Sequence, residues 1–388
     1  MAKRLKIGLF VDNSDLWTGG LYYIINIVHA LKSLPKEKQP WITLFYKRDF
    51  ELTFLKEVNY PFIDFVDATR KYSVFERVVN KIFYLLSKRL FFPKKFRSTI
   101  VDVIYPNAGF HKELAAIQNQ LWWIPDFQEK YYPDFFTLEE LTQRNEWQGK
   151  LAASKTNIVF SSQNALNDFK NFFPQSAARL HLVRFAVSHS TIDFEVIYKE
   201  CSKIYNLPQK YFLVANQLWK HKNHSLVIEA MELLSKSDSS IRIVFTGKES
   251  DYRDPNYPVR LKEKISEKGL QNNFLWLGFI PKEHMLTIMN YAHAVIQPSL
   301  FEGWSTVIED GKSLGKQIVA SDFPVHVEQL GDKGLFFQKN SAGELALQMK
   351  IVWAESRKSI SYDYESDVIR FGRDFLDVAT MVKASQDV

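Results

Sequence analysis

Short apolar runs separated by polar, turn-forming stretches set the rhythm of this chain. In its first half they are Lys6–Val11, Trp41–Tyr46, Val101–Tyr105, Gln120–Ile124, Asn157–Ser161 and Leu180–Phe185. Runs this short and continuously apolar suit strands buried on both faces of a sheet. Longer stretches with helical spacing lie between most of them, beginning with Leu21–Leu34. A second series follows, with strands predicted at Tyr211–Ala215, Ile241–Thr246, Asn273–Leu277, Ala294–Gln297, Gln317–Ala320 and Gly334–Phe337. Its helices are predicted at His224–Ser235, Asn256–Lys268, Lys282–His293, Val307–Leu314 and Ser341–Ser356. Such alternation predicts parallel sheets covered on both sides by helices.

The two series predict two α/β domains, doubly wound and Rossmann-like, at residues 1–190 and 209–365. The apolar pattern weakens from Ala186 to Pro208, and the linker is placed at 191–208. A last helical stretch, Asp363–Ser385, is expected to return to the first domain, with 366–388 as its own segment. A chain of 388 residues is longer than a single core usually serves, which agrees with two domains. Ligands of such folds bind at the carboxyl ends of the strands, so the expected site is the cleft between the domains.

Composition narrows the class. With 46% hydrophobic and 24% charged residues, the chain is of globular type, and no apolar run is long enough to span a membrane. The basic start is followed by an apolar run that Asp12 interrupts, which reads as a first strand and not a signal peptide. Cys201 is the single cysteine, so an intrachain disulfide and a cysteine-rich metal site are excluded. His221 and His224 stand three apart, but no further ligand has suitable spacing nearby, and no metal is expected. Asn223 between them is expected to cap the helix that follows.

The candidate chemistry gathers at Glu302-Gly303-Trp304-Ser305-Thr306-Val307-Ile308-Glu309-Asp310. An apolar strand leads in and a helix leads out, and the N–H groups opening that helix are a ready site for phosphate. A carboxylate at each end of the run can take hydroxyls, so the loop suits a nucleotide-sugar. The run resembles the signature loop of retaining glycosyltransferases of family 4, which reads roughly Glu-Gly-Phe-Gly-Leu-Pro-x-x-Glu. The resemblance is strongest from Tyr211 to Glu328 and implies the GT-B architecture, two Rossmann-like domains facing a cleft. By the same resemblance Glu302 contacts the transferred sugar. Gly303 allows close backbone approach, Trp304 follows it in the donor loop, and the Ser305 and Thr306 amides meet the distal phosphate. The ribose hydroxyls fall to Asp310 in an ungapped match, with Glu309 beside it as the alternative.

At Val214-Ala215-Asn216-Gln217-Leu218-Trp219-Lys220-His221-Lys222 the family carries an Arg and a Lys that hold the donor diphosphate. Lys222 matches the Lys, whereas Gln217 stands in place of the Arg. Lys220, His221 or Arg184 are candidates to replace the missing charge. In the first domain, Gly19 and Gly20 form a glycine turn after the first strand, at the family's diphosphate-bordering loop. In Trp122-Trp123-Ile124-Pro125-Asp126-Phe127, Pro125 replaces a His found in relatives, so a polar role at the reaction centre falls to Asp126. The wording of these motifs is similar to a branch tied to bacterial surface polysaccharides. The implied activity is transfer of a hexose from a nucleotide-diphosphate sugar to a saccharide or lipid-linked saccharide, with no cofactor. Two rivals stay open: another GT-B enzyme such as a nucleotide-sugar epimerase, and a catalytically silent relative acting as a membrane or assembly partner.

The charge is lopsided. Nine basic residues stand against Glu76 alone between Arg70 and Arg97. Within that segment Phe75, Val78, Val79, Ile82, Leu86 and Leu90 recur at helical spacing, with Arg77, Lys81 and Lys88 on the other face. An apolar face with basic flanks suits an anionic membrane surface, while an ordinary helix packed on its own sheet would carry the same stripe. The basic excess is local and no recognition motif accompanies it, so nucleic acid is not an expected partner. The expected location is the cytoplasm, with contact to the inner face of the cell membrane.

Overall fold

The computed structural model describes residues 4–11, 18–46, 58–67, 73–87, 101–107 and 119–384. The first sheet is built from β1 (Lys6–Phe10), β2 (Trp41–Tyr46), β3 (Ile63–Asp67), β4 (Val103–Asn107), β5 (Gln120–Trp123), β6 (Asn157–Phe160) and β7 (Arg179–Leu182). All its pairings are parallel, in the order β3-β2-β1-β4-β5-β6-β7. Among the described residues the helices of this half are α1 (Thr18–Lys32), α2 (Val74–Ser87), α3 (Gln128–Tyr131), α4 (Leu138–Ala152) and α5 (Gln163–Phe172).

The second sheet comprises β8 (Phe212–Ala215), β9 (Ile243–Thr246), β10 (Phe274–Trp276), β11 (Ala294–Gln297), β12 (Ile318–Ser321) and β13 (Leu335–Phe337), again all parallel, in the order β10-β9-β8-β11-β12-β13. Its helices are α6 (Phe194–Tyr205), α7 (His224–Ser235), α8 (Tyr257–Glu267), α9 (Lys282–Tyr291), α10 (Thr306–Ser313), α11 (Pro324–Leu330) and α12 (Ala342–Ala354). In each sheet the strand order reverses once, between β1 and β4 and between β8 and β11. Those reversals leave crevices at the carboxyl ends of the strands.

Both sheets are nearly continuous apolar layers. Ile7, Leu9, Leu44, Val103 and Val159 are fully buried in one, and Phe212, Val214, Ile243, Ile296 and Val319 in the other. The strand missing from the sequence reading is β3. Its sequence, Ile-Asp-Phe-Val-Asp, mixes acids with apolar residues, as the edge of a sheet permits. β4 lies two residues later than the apolar run suggested and includes Pro106, where its pairing with β5 shifts register.

The stretch expected as a linker carries α6. Asp193 caps it by accepting the Val196 N–H, and it packs on the second domain through buried Cys201 and a Tyr198–Tyr291 stack at 3.7 Å. The final helix α13 (Tyr364–Ala384) lies along α1 and adds Phe371, Phe375, Val378, Ala379 and Val382 to the first core. Gly372 allows that approach, since a Cβ there would stand 2.2 Å from the Ala30 carbonyl oxygen.

Helix α2 presents its apolar stripe outward. Phe75, Val78, Ile82 and Leu86 are exposed, while Asn80 is the buried position. A helix packed on its own sheet would bury the stripe, so that alternative is not what the structure adopts. Arg77 and Lys81 are also exposed, and Lys88 lies outside the described residues. No helix among the described residues is long and apolar enough to cross a membrane.

Candidate functional site

The crevice between β8 and β11 collects polar groups from both strand ends. After β8 the chain passes through Asn216 and Gln217 into a 3₁₀ turn, Lys220–Lys222, and then α7. After β11 it runs through Pro298–Ser305 into α10. Lys222 Nζ and Glu302 Oε1 meet at 2.6 Å, with both side chains largely buried. Gln297 Nε2 donates to the same carboxylate oxygen at 2.9 Å, and its own carbonyl accepts from Asn216 Nδ2 at 2.8 Å. A buried ion pair persists only when its remaining valences are satisfied, which this amide chain helps to achieve. The sequence reading named Glu302 and Lys222 but missed Asn216 and Gln297. Both are polar residues at the carboxyl ends of neighbouring strands, a position that marks them only once the strand order is known.

Asn223 was expected to cap α7 with its side chain. It adopts a left-handed backbone instead (φ 57°), joining the turn to the helix, and its side chain donates to the Lys339 carbonyl. That geometry aims Lys222 back at the crevice. His221 and His224 flank it, and burial pushes both imidazoles down, His224 to about 3. Among the described residues no group of three or more His, Cys, Asp or Glu side chains converges as a metal site. Gln217 is half-buried after β8. Of the candidates to supply its missing charge, Arg184 is committed to Glu328 at 2.5 Å, and Lys220 lies over the Phe135 ring.

Three residues of the Glu302–Asp310 run do something other than expected, and each joins the two domains or holds its own loop. Gly303 was expected to make room for a ligand. The backbone it meets belongs to the first domain, since a Cβ at 303 would lie 2.3 Å from the Pro125 oxygen and 3.1 Å from Asp126 Cβ. Trp304, expected in the donor loop, donates its indole N–H to the Phe185 carbonyl at 2.9 Å and packs against the first core. A large aromatic with one polar atom buries well in a neighbour's core when that atom finds an acceptor. The Ser305 amide, expected at the phosphate, donates to Gln329 Oε1 at 3.0 Å, and the Ser305 hydroxyl caps Ile308 N–H. As the first helical residues, Thr306 and Val307 have N–H groups with no partner inside the helix.

The adjacent acids separate cleanly. Glu309 is buried, accepts from Gln329 Nε2 at 2.9 Å and Tyr364 Oη at 2.9 Å, and lies 3.3 Å from Lys312 Nζ. Burial raises its carboxyl group above the usual range despite these partners. Asp310 turns to the other side, where Lys282 Nζ stands at 2.5 Å and His189 Nε2 at 3.3 Å. Lys282 lies 5.6 Å from the Tyr22 ring of α1, so Asp310 also faces the first domain. Lys282 and His189 were not foreseen, being an isolated lysine and a histidine far apart in sequence.

From the first domain, Asp126 accepts the Gln128 N–H at 3.1 Å and so starts α3 beside Gly303. Gly19 and Gly20 lie within the first turn of α1, which begins at Thr18, and not in a turn ahead of it. Across the seam, Glu328 of α11 accepts from Arg184 and from the Gln163 N–H that opens α5.

Residues 200–364 match the family model described as Glycosyl transferases group 1. The chain is 22% identical over 230 residues to the O-antigen chain mannosyltransferase RfbU of Salmonella typhimurium, and the match covers 58% of each chain. It is 25% identical over 231 residues to a Campylobacter jejuni N-acetylgalactosamine-N,N'-diacetylbacillosaminyl-diphospho-undecaprenol 4-alpha-N-acetylgalactosaminyltransferase, across 56% of this chain and 58% of the relative. It thus spans somewhat over half the length of these curated relatives. Among solved structures, a glycosyltransferase from Rickettsia africae superposes with a TM-score of 0.63 at 14% identity, covering 98% of both chains. HepE of Anabaena, in complex with UDP and glucose, superposes with 0.61 at 16% identity over 98% of both. The protein has the GT-B architecture of these glycosyltransferases, and the group 1 family match falls on its second half.

Proposed function

We propose that the protein is a retaining glycosyltransferase. It moves a hexose from a nucleotide-diphosphate sugar to a saccharide or lipid-linked saccharide acceptor in bacterial surface polysaccharide synthesis, without a bound metal. The observation that carries this reading is the Lys222–Glu302 pair, set in the second crevice beside the opening turn of α10. A cation and open helix N–H groups suit a departing diphosphate, and the carboxylate suits sugar hydroxyls. The names of the Salmonella and Campylobacter relatives, and the UDP and glucose of the Anabaena structure, support the same substrate classes.

In this scheme an acceptor hydroxyl oxygen bonds to the anomeric carbon on the face that the leaving group vacates. The bond from that carbon to the diphosphate oxygen breaks, and the acceptor proton passes to the departing phosphate. Lys222 and the Thr306 and Val307 N–H groups take up the charge that develops there. The α1 N-terminus at Gly19 and Gly20 borders the diphosphate from the opposite domain. Gln217 contributes a neutral amide where charge is usual, and Ser305 acts through its cap. Asp126 is the polar group on the acceptor side. Asp310 takes the ribose hydroxyls through Oδ1, which has no hydrogen-bond partner, whereas both oxygens of Glu309 already accept, from Gln329 and Tyr364. Arg77, Lys81 and Lys88 place the enzyme on the anionic inner face of the membrane, next to a lipid-linked acceptor.

The test is transfer from UDP- and GDP-hexoses to a polyprenyl-diphosphate saccharide, with product analysis also run without acceptor. Glu302→Ala should lower transfer by roughly 10³-fold while the fold is kept. Turnover near wild type would remove Glu302 from the reaction, and an altered sugar nucleotide formed without acceptor would identify an epimerase.

A further inference from the structure

We infer that Gln297 and Asn216 are positioning residues that decide which oxygen of Glu302 faces the donor sugar, an inference that rests on the sugar-binding reading of Glu302. Gln297 ends β11 and is fully buried; Asn216 follows β8, the neighbouring strand, and is 4% exposed. The Gln297 amide donates to Glu302 Oε1 at 2.9 Å and to Ser299 Oγ at 3.0 Å. Lys222 Nζ reaches the same Oε1 at 2.6 Å. Two donors therefore converge on one carboxylate oxygen, which fixes the plane of the group and leaves Oε2 to accept from a hydroxyl.

A carboxamide can sit in either of two orientations of almost equal shape, and only one of them aims a donor at Glu302. The Glu302 carboxylate can only accept, and Asn216 holds Gln297 in the matching orientation. Its Nδ2 donates to Gln297 Oε1 at 2.8 Å, so the carbonyl end of Gln297 faces Asn216 and the NH₂ end faces the carboxylate. The reverse orientation sets acceptor against acceptor at Glu302 and donor against donor at Asn216. A buried amide is tolerated because every end is bonded, and an aliphatic side chain would fill the same space without aiming Glu302. The chain Asn216–Gln297–Glu302 thus carries orientation from β8, through β11, to the loop that holds the sugar.

Two substitutions test this in the whole 388-residue chain. Asn216→Asp keeps the shape but presents only acceptors, so the carbonyl end of Gln297 loses its donor and the amide is pulled between two carboxylates. Gln297→Leu removes the amide altogether. Calorimetry with UDP against UDP-glucose, and GDP against GDP-mannose, gives the affinity that the sugar adds to the nucleotide. For the pair that binds, both variants should hold nucleotide affinity within about twofold and lose roughly tenfold of the sugar's increment. Turnover should fall with the increment. An unchanged increment in both variants, with Glu302→Ala losing it, overturns the positioning role alone. An increment that survives Glu302→Ala overturns the reading of Glu302 and this inference with it. Equal losses for nucleotide and nucleotide-sugar mark positions 216 and 297 as purely structural and also overturn the inference.

Discussion

The two sheets reverse their strand order in the same way, yet the described residues beside the two reversals carry opposite chemistry. In the second domain the space between β8 and β11 holds Asn216, Lys222, Gln297 and Glu302, linked by bonds of 2.6 to 2.9 Å. Around the corresponding space in the first domain stand rings. Tyr23 stacks on Trp123 at 4.4 Å, its hydroxyl shares a hydrogen bond with Tyr105 at 2.6 Å, and Phe185 lies edge-on at 5.1 Å. Burial pushes both tyrosine hydroxyls well above their ordinary range, so neither ionises near neutrality. The second crevice is charged, and beside the first the described residues form an aromatic plug that receives Trp304 from the opposite domain. The two reversals are alike in topology, and the described side chains beside them are what differ.

The contrast breaks most sharply at Lys222. Lys222→Met keeps the length and removes the charge, and it should lower transfer by roughly 10²–10³-fold. It also strands the Glu302 carboxylate, so steady-state rates should be read beside a thermal melt that confirms folding. A loss below about threefold would mean that the charged crevice is not the reacting one.

Trp304→Ala probes the aromatic side. It removes a ring packed on Phe185 together with its hydrogen bond, and about 3 kcal/mol of stability should go with it, measured by denaturant unfolding. The two domains should then melt less cooperatively. A single transition at the wild-type midpoint would show that the plug does not couple them.

Acid should weaken the second domain's site. His224 and His326 are fully buried, and burial pushes them down to about 3 and about 4. Their folded values lie below the unfolded value, so the unfolded chain binds more protons between roughly pH 6.5 and 4, and stability falls as pH drops through that window. The loss from His326 alone is on the order of 3 kcal/mol at pH 4. His326→Gln should flatten the pH dependence of the melting temperature, and an equally steep profile would assign the acid sensitivity elsewhere.

The smallest effect is expected outside both crevices, at α2. Each basic residue near an anionic surface is worth about 1 kcal/mol, so reversing Arg77 and Lys81 should lower binding to phosphatidylglycerol vesicles by one to two orders of magnitude. Binding that is unchanged in flotation would leave the exposed stripe without a membrane role.

The order of strands and helices was readable because continuous apolar runs and helical spacing are local properties. The six strands expected in the second half are the six observed, and α7 has the bounds expected for it. β3 escaped because an edge strand need bury only part of its length, which permits the acids at positions 64 and 67. The site was partly readable. Glu302, Lys222 and Asp310 stand in recognisable strings, whereas Gln297, Asn216, Lys282 and His189 have no local mark, since their partners lie far along the chain.

The sequence by itself determined two parallel α/β units and a loop able to present carboxylates and helix N–H groups, because periodicity and turn chemistry act over a few residues. Tertiary structure alone decided how that loop is divided. Glu302 turns to Lys222, Gly303 and Trp304 turn to the first domain, and Glu309 and Asp310 turn to different partners around α10. Neighbours in sequence diverge because successive helical side chains point about 100° apart and each ends where a distant partner satisfies it. No single stretch of chain contains that information.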